Sequence, residues 1–160
     1  MKFLTVYVTR TGNTEKIAKK VHKALGGDIE LITEKMNRKG IIGWMKTGSQ
    51  NSKRVVGEIN PTEHDPSEYD LVVLASPVWA GSVSAPMRGY MTQNAEKLTR
   101  TAVFITNDSG QVGDAFIEIR EILPNSPVVE GSLQRSKAKA EFDSTVSSFI
   151  DEISSLTSPD

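Results

Sequence analysis

Six consecutive residues, Thr9-Arg10-Thr11-Gly12-Asn13-Thr14, stand where a short β-rich run, Phe3–Thr9, hands over to a helical pattern. A helix start leaves backbone N–H groups unpaired and carries a partial positive charge. The hydroxyls of Thr9, Thr11 and Thr14 and the Asn13 carboxamide add donors at the same spot, and Gly12 lets the backbone come close. That chemistry is an anion site built mostly from neutral donors. It suits a terminal phosphate that is held rather than transferred, because the loop lacks the lysine that a P-loop aims at a nucleoside triphosphate. Ordinary capping by one Thr or Asn accounts for only part of the run.

Two further stretches have related character. In Ser76-Pro77-Val78-Trp79-Ala80-Gly81-Ser82, Trp79 is either a packing residue or a stacking platform for a flat ring. The Ala80–Gly81 peptide is free to change conformation, because glycine accepts backbone angles that other residues avoid. Asn107-Asp108-Ser109-Gly110-Gln111 offers backbone N–H groups and a wall of small residues, or else an ordinary turn. Taken together, a phosphate nest, an aromatic plate and a polar backbone wall outline a site for a flat heteroaromatic ring on a phosphate tail.

Elements must bring these loops together. Asn13–Leu25 has Ile17, Val21 and Leu25 at four-residue spacing and reads as an amphipathic helix stopped by Gly26-Gly27. Asp28–Thr33 alternates like a strand. Leu71–Ala75 and Ala102–Thr106 are apolar throughout, as strands covered on both faces are. Ser84–Leu98 reads as a helix with Ser84 as N-cap and Pro86 in its first turn. Val112–Leu123 carries Ala115, Phe116, Ile119, Ile122 and Leu123 on one face, Pro124–Pro127 breaks it, and Val128-Val129 starts a last short strand. Ser136–Leu156 closes the chain with Phe142, Val146, Phe149, Ile150 and Ile153 as its stripe. Such alternation predicts an α/β domain, a doubly wound five-stranded parallel sheet wrapped by helices. Its ligands belong beyond the carboxyl ends of the strands, where all three loops fall. The basic segment 34–60, which holds Trp44, interrupts the rhythm; a short helix is expected around Ile41–Thr47.

Composition excludes several classes. With 160 residues and no internal repeat, one domain spanning 1–160 is expected. The absence of cysteine rules out disulfides, thiolate zinc sites and a cysteine nucleophile, hence a phosphatase of similar shape. The apolar run in MKFLTVYVTR is too short for a signal peptide, and no stretch reaches the ~20 residues of a membrane helix, so a cytoplasmic location is the expectation. A net charge of −1 points to neither nucleic acid nor membrane. The charge is uneven, however: residues 1–60 carry 12 basic and 5 acidic side chains, residues 61–160 carry 7 and 15, and compact folding is expected to interleave them. His22 and His64 show no metal-ligand spacing and read as surface residues; Glu63–Asp70 reads as a solvated approach to the third strand. A response-regulator receiver needs clustered carboxylates after the first strand, where Thr9-Arg10 stands instead.

On these residues the chain resembles the flavodoxin family. Thr9-Arg10-Thr11-Gly12-Asn13-Thr14 matches that family's T/S-x-T-G-x-T phosphate loop, and YDLVVLASPVWAG resembles its ring loop. The order of segments agrees over nearly the whole chain, in the short-chain form. The resemblance implies a three-layer sandwich with strand order 2-1-3-4-5 and non-covalently bound FMN. By that analogy Thr9, Arg10, Thr11, Gly12, Asn13 and Thr14 hold the phosphate. Pro77, Val78, Trp79, Ala80 and Gly81 lie along the isoalloxazine, with Trp79 stacking, and Asn107, Asp108, Ser109 and Gly110 supply backbone contacts to the pyrimidine edge. The Ala80–Gly81 peptide is expected to rotate to accept a hydrogen bond from the reduced ring. Two departures stand out: the third loop lacks the aromatic residue usual in the family, and the chain lacks its strongly acidic character.

The resemblance therefore implies an FMN-binding electron carrier serving redox partner proteins. The alternatives are a small FMN-dependent oxidoreductase of the NAD(P)H:quinone type, acting on an acceptor such as a quinone, and a flavin-free binding or regulatory domain on the same fold.

Overall fold

The computed structural model describes residues 1–34, 54–137 and 139–156. Strand β1 (Phe3–Tyr7) is buried along its whole length. It is flanked by β2 (Asp28–Leu31) and β3 (Leu71–Trp79), both parallel to it. A two-residue strand, β4 (Ser82–Val83), folds back antiparallel on the end of β3. Strand β5 (Thr101–Asn107) pairs parallel with β3, and β6 (Val129–Gln134) with β5. The order is thus β2-β1-β3-β5-β6 with β4 off the path. Setting β4 aside, the five parallel strands run in the expected order 2-1-3-4-5.

Alternation sends successive side chains to opposite faces, and each face has its own core. Leu4, Val6, Val72, Leu74, Val103 and Ile105 pack with Met87, Tyr90 and Ile119 on one side. These last belong to helices α2 (Ala85–Asn94) and α3 (Ala115–Ile122). Leu71, Val73, Ala102 and Phe104 pack on the other side with Ile17, Val21, Val146, Phe149 and Ile153. Those come from α1 (Asn13–Leu25) and α4 (Lys139–Ser155). Each fully buried Leu or Ile contributes roughly 1.5–3 kcal/mol, so a sheet apolar on both faces forms only if both are covered. Gly27 lets α1 turn straight into β2: a Cβ there would lie 2.0 Å from the Phe3 carbonyl oxygen.

Several expected boundaries move. The third strand does not stop at Ala75, because β5 keeps pairing with it as far as Pro77↔Thr106. The last strand, expected to start at Val128-Val129, starts at Val129 and runs through Gln134. Its Gly131 is required by packing, since a Cβ there would lie 2.8 Å from the Phe104 ring and 2.9 Å from that of Phe149. Helix α2 ends at Asn94 and is followed by a 3-10 turn, Ala95–Lys97. Ser84 occupies its N-cap but makes no side-chain capping bond; its hydroxyl pairs instead with Ser76 Oγ at 2.8 Å. Helices α3 and α4 begin three residues later than expected.

The chain returns from segment 35–53 by pairing Ile59 with Glu34 and docking on α2. Gly57 and Gly89 touch so closely that a Cβ on Gly89 would sit 2.2 Å from the Gly57 carbonyl oxygen. Arg88, buried, clamps the contact. It donates to Glu118 Oε2 at 2.9 and 3.1 Å, to the Val55 carbonyl at 2.7 Å and to the Val83 carbonyl at 3.0 Å. Removing one partner of such a buried pair costs about 3–5 kcal/mol, because it strands the other charge. The short helix expected at Ile41–Thr47, and Trp44, lie outside the described residues. Among the described residues, no helix is long and apolar enough to cross a membrane.

The histidine and acidic readings are sharpened. His64 is not a free surface residue: its Nδ1 lies 2.6 Å from Glu30 Oε2, and that carboxylate also accepts the Glu63 and His64 amides. Half-buried His22 has its Nδ1 enclosed without a hydrogen-bond partner. Asp65 caps a 3-10 turn, Pro66–Glu68, and Tyr69 donates to Asp28 at 2.7 Å. The Glu63–Asp70 stretch thus pins the approach to β3.

Candidate functional site

Parallel register puts the carboxyl ends of β1, β3 and β5 at one rim, so the three polar loops meet there. The first cleft is lined by Thr9, Arg10, Thr11, Asn13, Thr14, Pro77, Val78, Trp79, Thr106, Asn107, Asp108 and Arg135. A second, of ≈ 540 Å³, continues along Arg10, Val78, Trp79, Ala80, Gly81, Asn107, Asp108, Ser109, Gln111 and Gly113. That volume lies within the ~300–1,000 Å³ of small-molecule sites.

The residues of the first loop gather unpaired donors at the start of α1. Gly12 adopts φ 89°, the left-handed conformation, at the N-cap of α1, and no side chain caps the helix. Its own N–H donates to Thr9 Oγ1 at 3.0 Å, and Asn13 Nδ2 donates to Thr11 Oγ1 at 2.9 Å. Both hydroxyls therefore act as acceptors toward the loop and keep a proton to donate outward. Lys16 N–H makes the first helical bond, to Gly12 at 3.2 Å. The amides of Asn13, Thr14 and Glu15 have no acceptor among the described residues. Thr14 is the exception to the expected pattern: buried, it spends its hydroxyl on Thr106 Oγ1 at 2.9 Å, tying α1 to β5. Arg10 lies on the ring side, its guanidinium carbon 5.6 Å from the Trp79 ring centroid.

The second loop is a hairpin. Val78 pairs with Val83 and Trp79 with Ser82, leaving Ala80 and Gly81 as the two-residue turn. Their φ values, 52° and 75°, are both positive, the pattern of a type I′ turn, whose twist matches the strands it joins. Ala80 in that region is strained, unlike Gly81. The hairpin is braced from outside. Asp114 N–H donates to the Gly81 carbonyl at 2.9 Å, and Gly113 packs so close that a Cβ would lie 2.2 Å from that oxygen. The expected freedom of this peptide is therefore qualified: its glycine is permissive and its alanine restrains it, while the Asp114 bond fixes the next peptide, Gly81–Ser82.

In the third loop, Asn107 is buried and structural. Its Oδ1 accepts from Gly110 N–H at 2.7 Å and its Nδ2 donates to the Leu133 carbonyl at 3.4 Å. Asp108 and Ser109 line the cleft, whereas Gly110 (φ 81°) makes the turn behind it, against Gln134. Three lining residues escaped the sequence reading as site residues, Thr106, Gly113 and Arg135, while Gln111 lines the second cleft as the last residue of the expected third loop. The rim rule, applied at the true end of β6, finds Arg135. Its Nε lies 3.4 Å from Asp108 Oδ1, so the one carboxylate on the first cleft faces a guanidinium. No group of three or more acidic or histidine side chains able to hold a metal occurs among the described residues.

No family model matches the chain, and no curated protein sequence matches it. Solved structures do. A flavoprotein from Lactobacillus acidophilus NCFM, crystallised in complex with FMN, superposes with a TM-score of 0.69 at 20% identity, over 90% of this chain and 97% of that one. Oxidised flavodoxin 1 from Bacillus cereus gives 0.58 at 16% identity, over 99% and 100%. A flavodoxin, WrbA-like protein from Agrobacterium tumefaciens gives 0.60 at 10%, over 96% of each chain. The chain has the flavodoxin fold.

Proposed function

We propose that the chain binds FMN non-covalently and carries electrons between redox partners. The observation that carries this reading is the uncapped start of α1. A left-handed Gly12 opens the helix, and the amides of Asn13 and Thr14, without acceptors among the described residues, belong to residues lining the same cleft as Trp79. The donor set fits a phosphate: amides, the outward protons of the Thr9 and Thr11 hydroxyls, and a helix N-terminus. The neighbouring cleft, walled by Trp79 and by the small residues of the third loop, fits a flat ring.

In this reading Thr9–Asn13 hold the phosphate, and Thr14 anchors their loop to β5. Trp79 stacks on the ring within Pro77–Gly81, and the backbone of Asn107–Ser109 meets its polar edge. The Ala80–Gly81 peptide is the hydrogen-bonding group that answers reduction. FMN supplies the electron chemistry, while the protein binds, orients and tunes it. The L. acidophilus relative's complex with FMN supports the assignment.

A small FMN-dependent oxidoreductase is the second reading. It is favoured by the third loop, which has no aromatic residue, so that among the described residues the ≈ 540 Å³ cleft is open to a small acceptor such as a quinone; Trp44, outside the described residues, is the alternative cover for the ring. A visible spectrum of the purified protein, with and without added FMN and through a reductive titration, tests the cofactor. A colourless protein that cannot be reconstituted sinks both readings and leaves a flavin-free binding domain. Turnover with NAD(P)H and a quinone selects the enzyme; rapid exchange with a reductase without such turnover selects the carrier.

A further inference from the structure

Beyond the phosphate nest, on the side away from Trp79, lies a groove of ≈ 400 Å³ that the proposed function does not use. Its apolar part is Ile17, Leu133 and the half-buried ring of Phe142. Its polar rim carries four cations, Lys16, Arg135, Lys137 and Lys139, against one carboxylate, Asp143. Lys20 already engages Asp143 at 2.8 Å and holds its carboxyl below the usual range. Arg135 and Lys137 already pair with Asp108 and Glu141, each at 3.4 Å, and Lys139 lies in the field of Asp143, whereas Lys16 makes no ion pair among the described residues. The groove shares Asn13, Thr106 and Arg135 with the phosphate cleft, so the two are contiguous.

An aromatic and aliphatic floor under a ring of cations fits a nucleoside carrying phosphate. The base packs against Ile17 and against Phe142, whose ring already carries the Lys20 ammonium 5.5 Å from its centroid, and the negative charge meets Lys16 and Lys139. Contiguity at Asn13 and Arg135 puts that charge next to the group held in the nest. We propose that this groove is a second nucleotide subsite, taking a phosphorylated nucleoside beside the phosphate bound by Thr9–Asn13. This rests on reading the nest as a phosphate site. The nucleoside has two possible sources: the adenylate half of a flavin dinucleotide, or a separate nucleotide bound next to FMN.

The test titrates flavin-free protein with FMN and with FAD, following flavin fluorescence, and titrates FMN-loaded protein with ADP, following amide chemical shifts. The linked source gives FAD binding at least tenfold tighter than FMN, and the double variant Lys16→Glu/Lys139→Glu brings that ratio to about one. The separate source gives no FAD preference, but ADP shifts at Lys16 and Phe142 that the double variant abolishes. FAD binding no tighter than FMN, with no ADP shifts in the groove at millimolar concentration, overturns the proposal. If neither flavin binds, the function proposed above fails, and ADP titration of the flavin-free protein still decides the groove, with shifts at Lys16 and Phe142 supporting it and their absence overturning it.

Discussion

Ala80 is the residue where local strain meets the proposed chemistry. Rotating the Ala80–Gly81 peptide alone converts the type I′ turn to type II′, in which the first turn residue keeps a positive φ but enters a region open essentially to glycine. The Ala80 methyl group therefore opposes the rotation. Ala80→Gly is expected to ease uptake of the first electron by about 1–2 kcal/mol, a rise of about 40–90 mV in that potential. Potentiometric titration of both FMN-loaded proteins measures it; an unchanged or lower first potential removes the peptide from the chemistry. At this scale residue types are a partial guide. TRTGNT announces an anion site because backbone amides and short hydroxyls act locally. That Thr14 and Asn107 turn polar groups inward, to Thr106 and to the Leu133 carbonyl, depends on neighbours distant in sequence.

Among the elements, the β3–β4 hairpin decides where Trp79 stands. PVWAG reads as a loop, since proline and glycine are poor strand residues, yet pairing with β5 carries β3 to Pro77 and pairing with β4 carries it on through Trp79. The hairpin leans on Gly113 and Asp114 at the start of α3, a contact between segments more than 30 residues apart that local patterning cannot reveal. Gly113→Ala is expected to push on the Gly81 carbonyl and displace the hairpin. FMN affinity should fall at least tenfold while the far-UV circular dichroism spectrum persists. Wild-type affinity in this variant dissociates the brace from the site. The last strand was legible only at its first residue, because VEGSLQ mixes exposed polar positions with a glycine required by two phenylalanine rings.

Over the whole molecule, the uneven charge of the two chain halves is interleaved by folding. Lys2 reaches Glu68 at 3.6 Å, Lys20 reaches Asp143 at 2.8 Å, and Arg54 reaches Asp114 at 3.3 Å. Exposed pairs of this kind contribute little individually. One has a readable pH signature. The Lys97 ammonium, followed by the Ser67 amide and hydroxyl, lowers the Asp65 carboxyl from 3.8 to about 2. A carboxylate lowered on folding stabilises the native state above its unfolded value and loses that contribution as pH falls through its folded one. The Tm deficit of Asp65→Asn should therefore be constant above about pH 5, shrink between pH 4 and pH 2, and vanish below. A deficit unchanged at pH 2 would assign the effect to the turn alone.

By itself, the sequence determined the alternation of strand and helix, the two-sided burial of β3 and β5, and the cluster of short polar groups at the start of α1. Each follows from periodicity or from groups within a few residues of one another. The tertiary structure alone decided how far β3 and β6 extend, that Arg10 lies over Trp79, that Asn107 reaches the Leu133 carbonyl, and that Arg135 joins a basic groove to the first cleft. These depend on strand register and on contacts between distant segments, whose free energy is realised only once both faces of the sheet are packed.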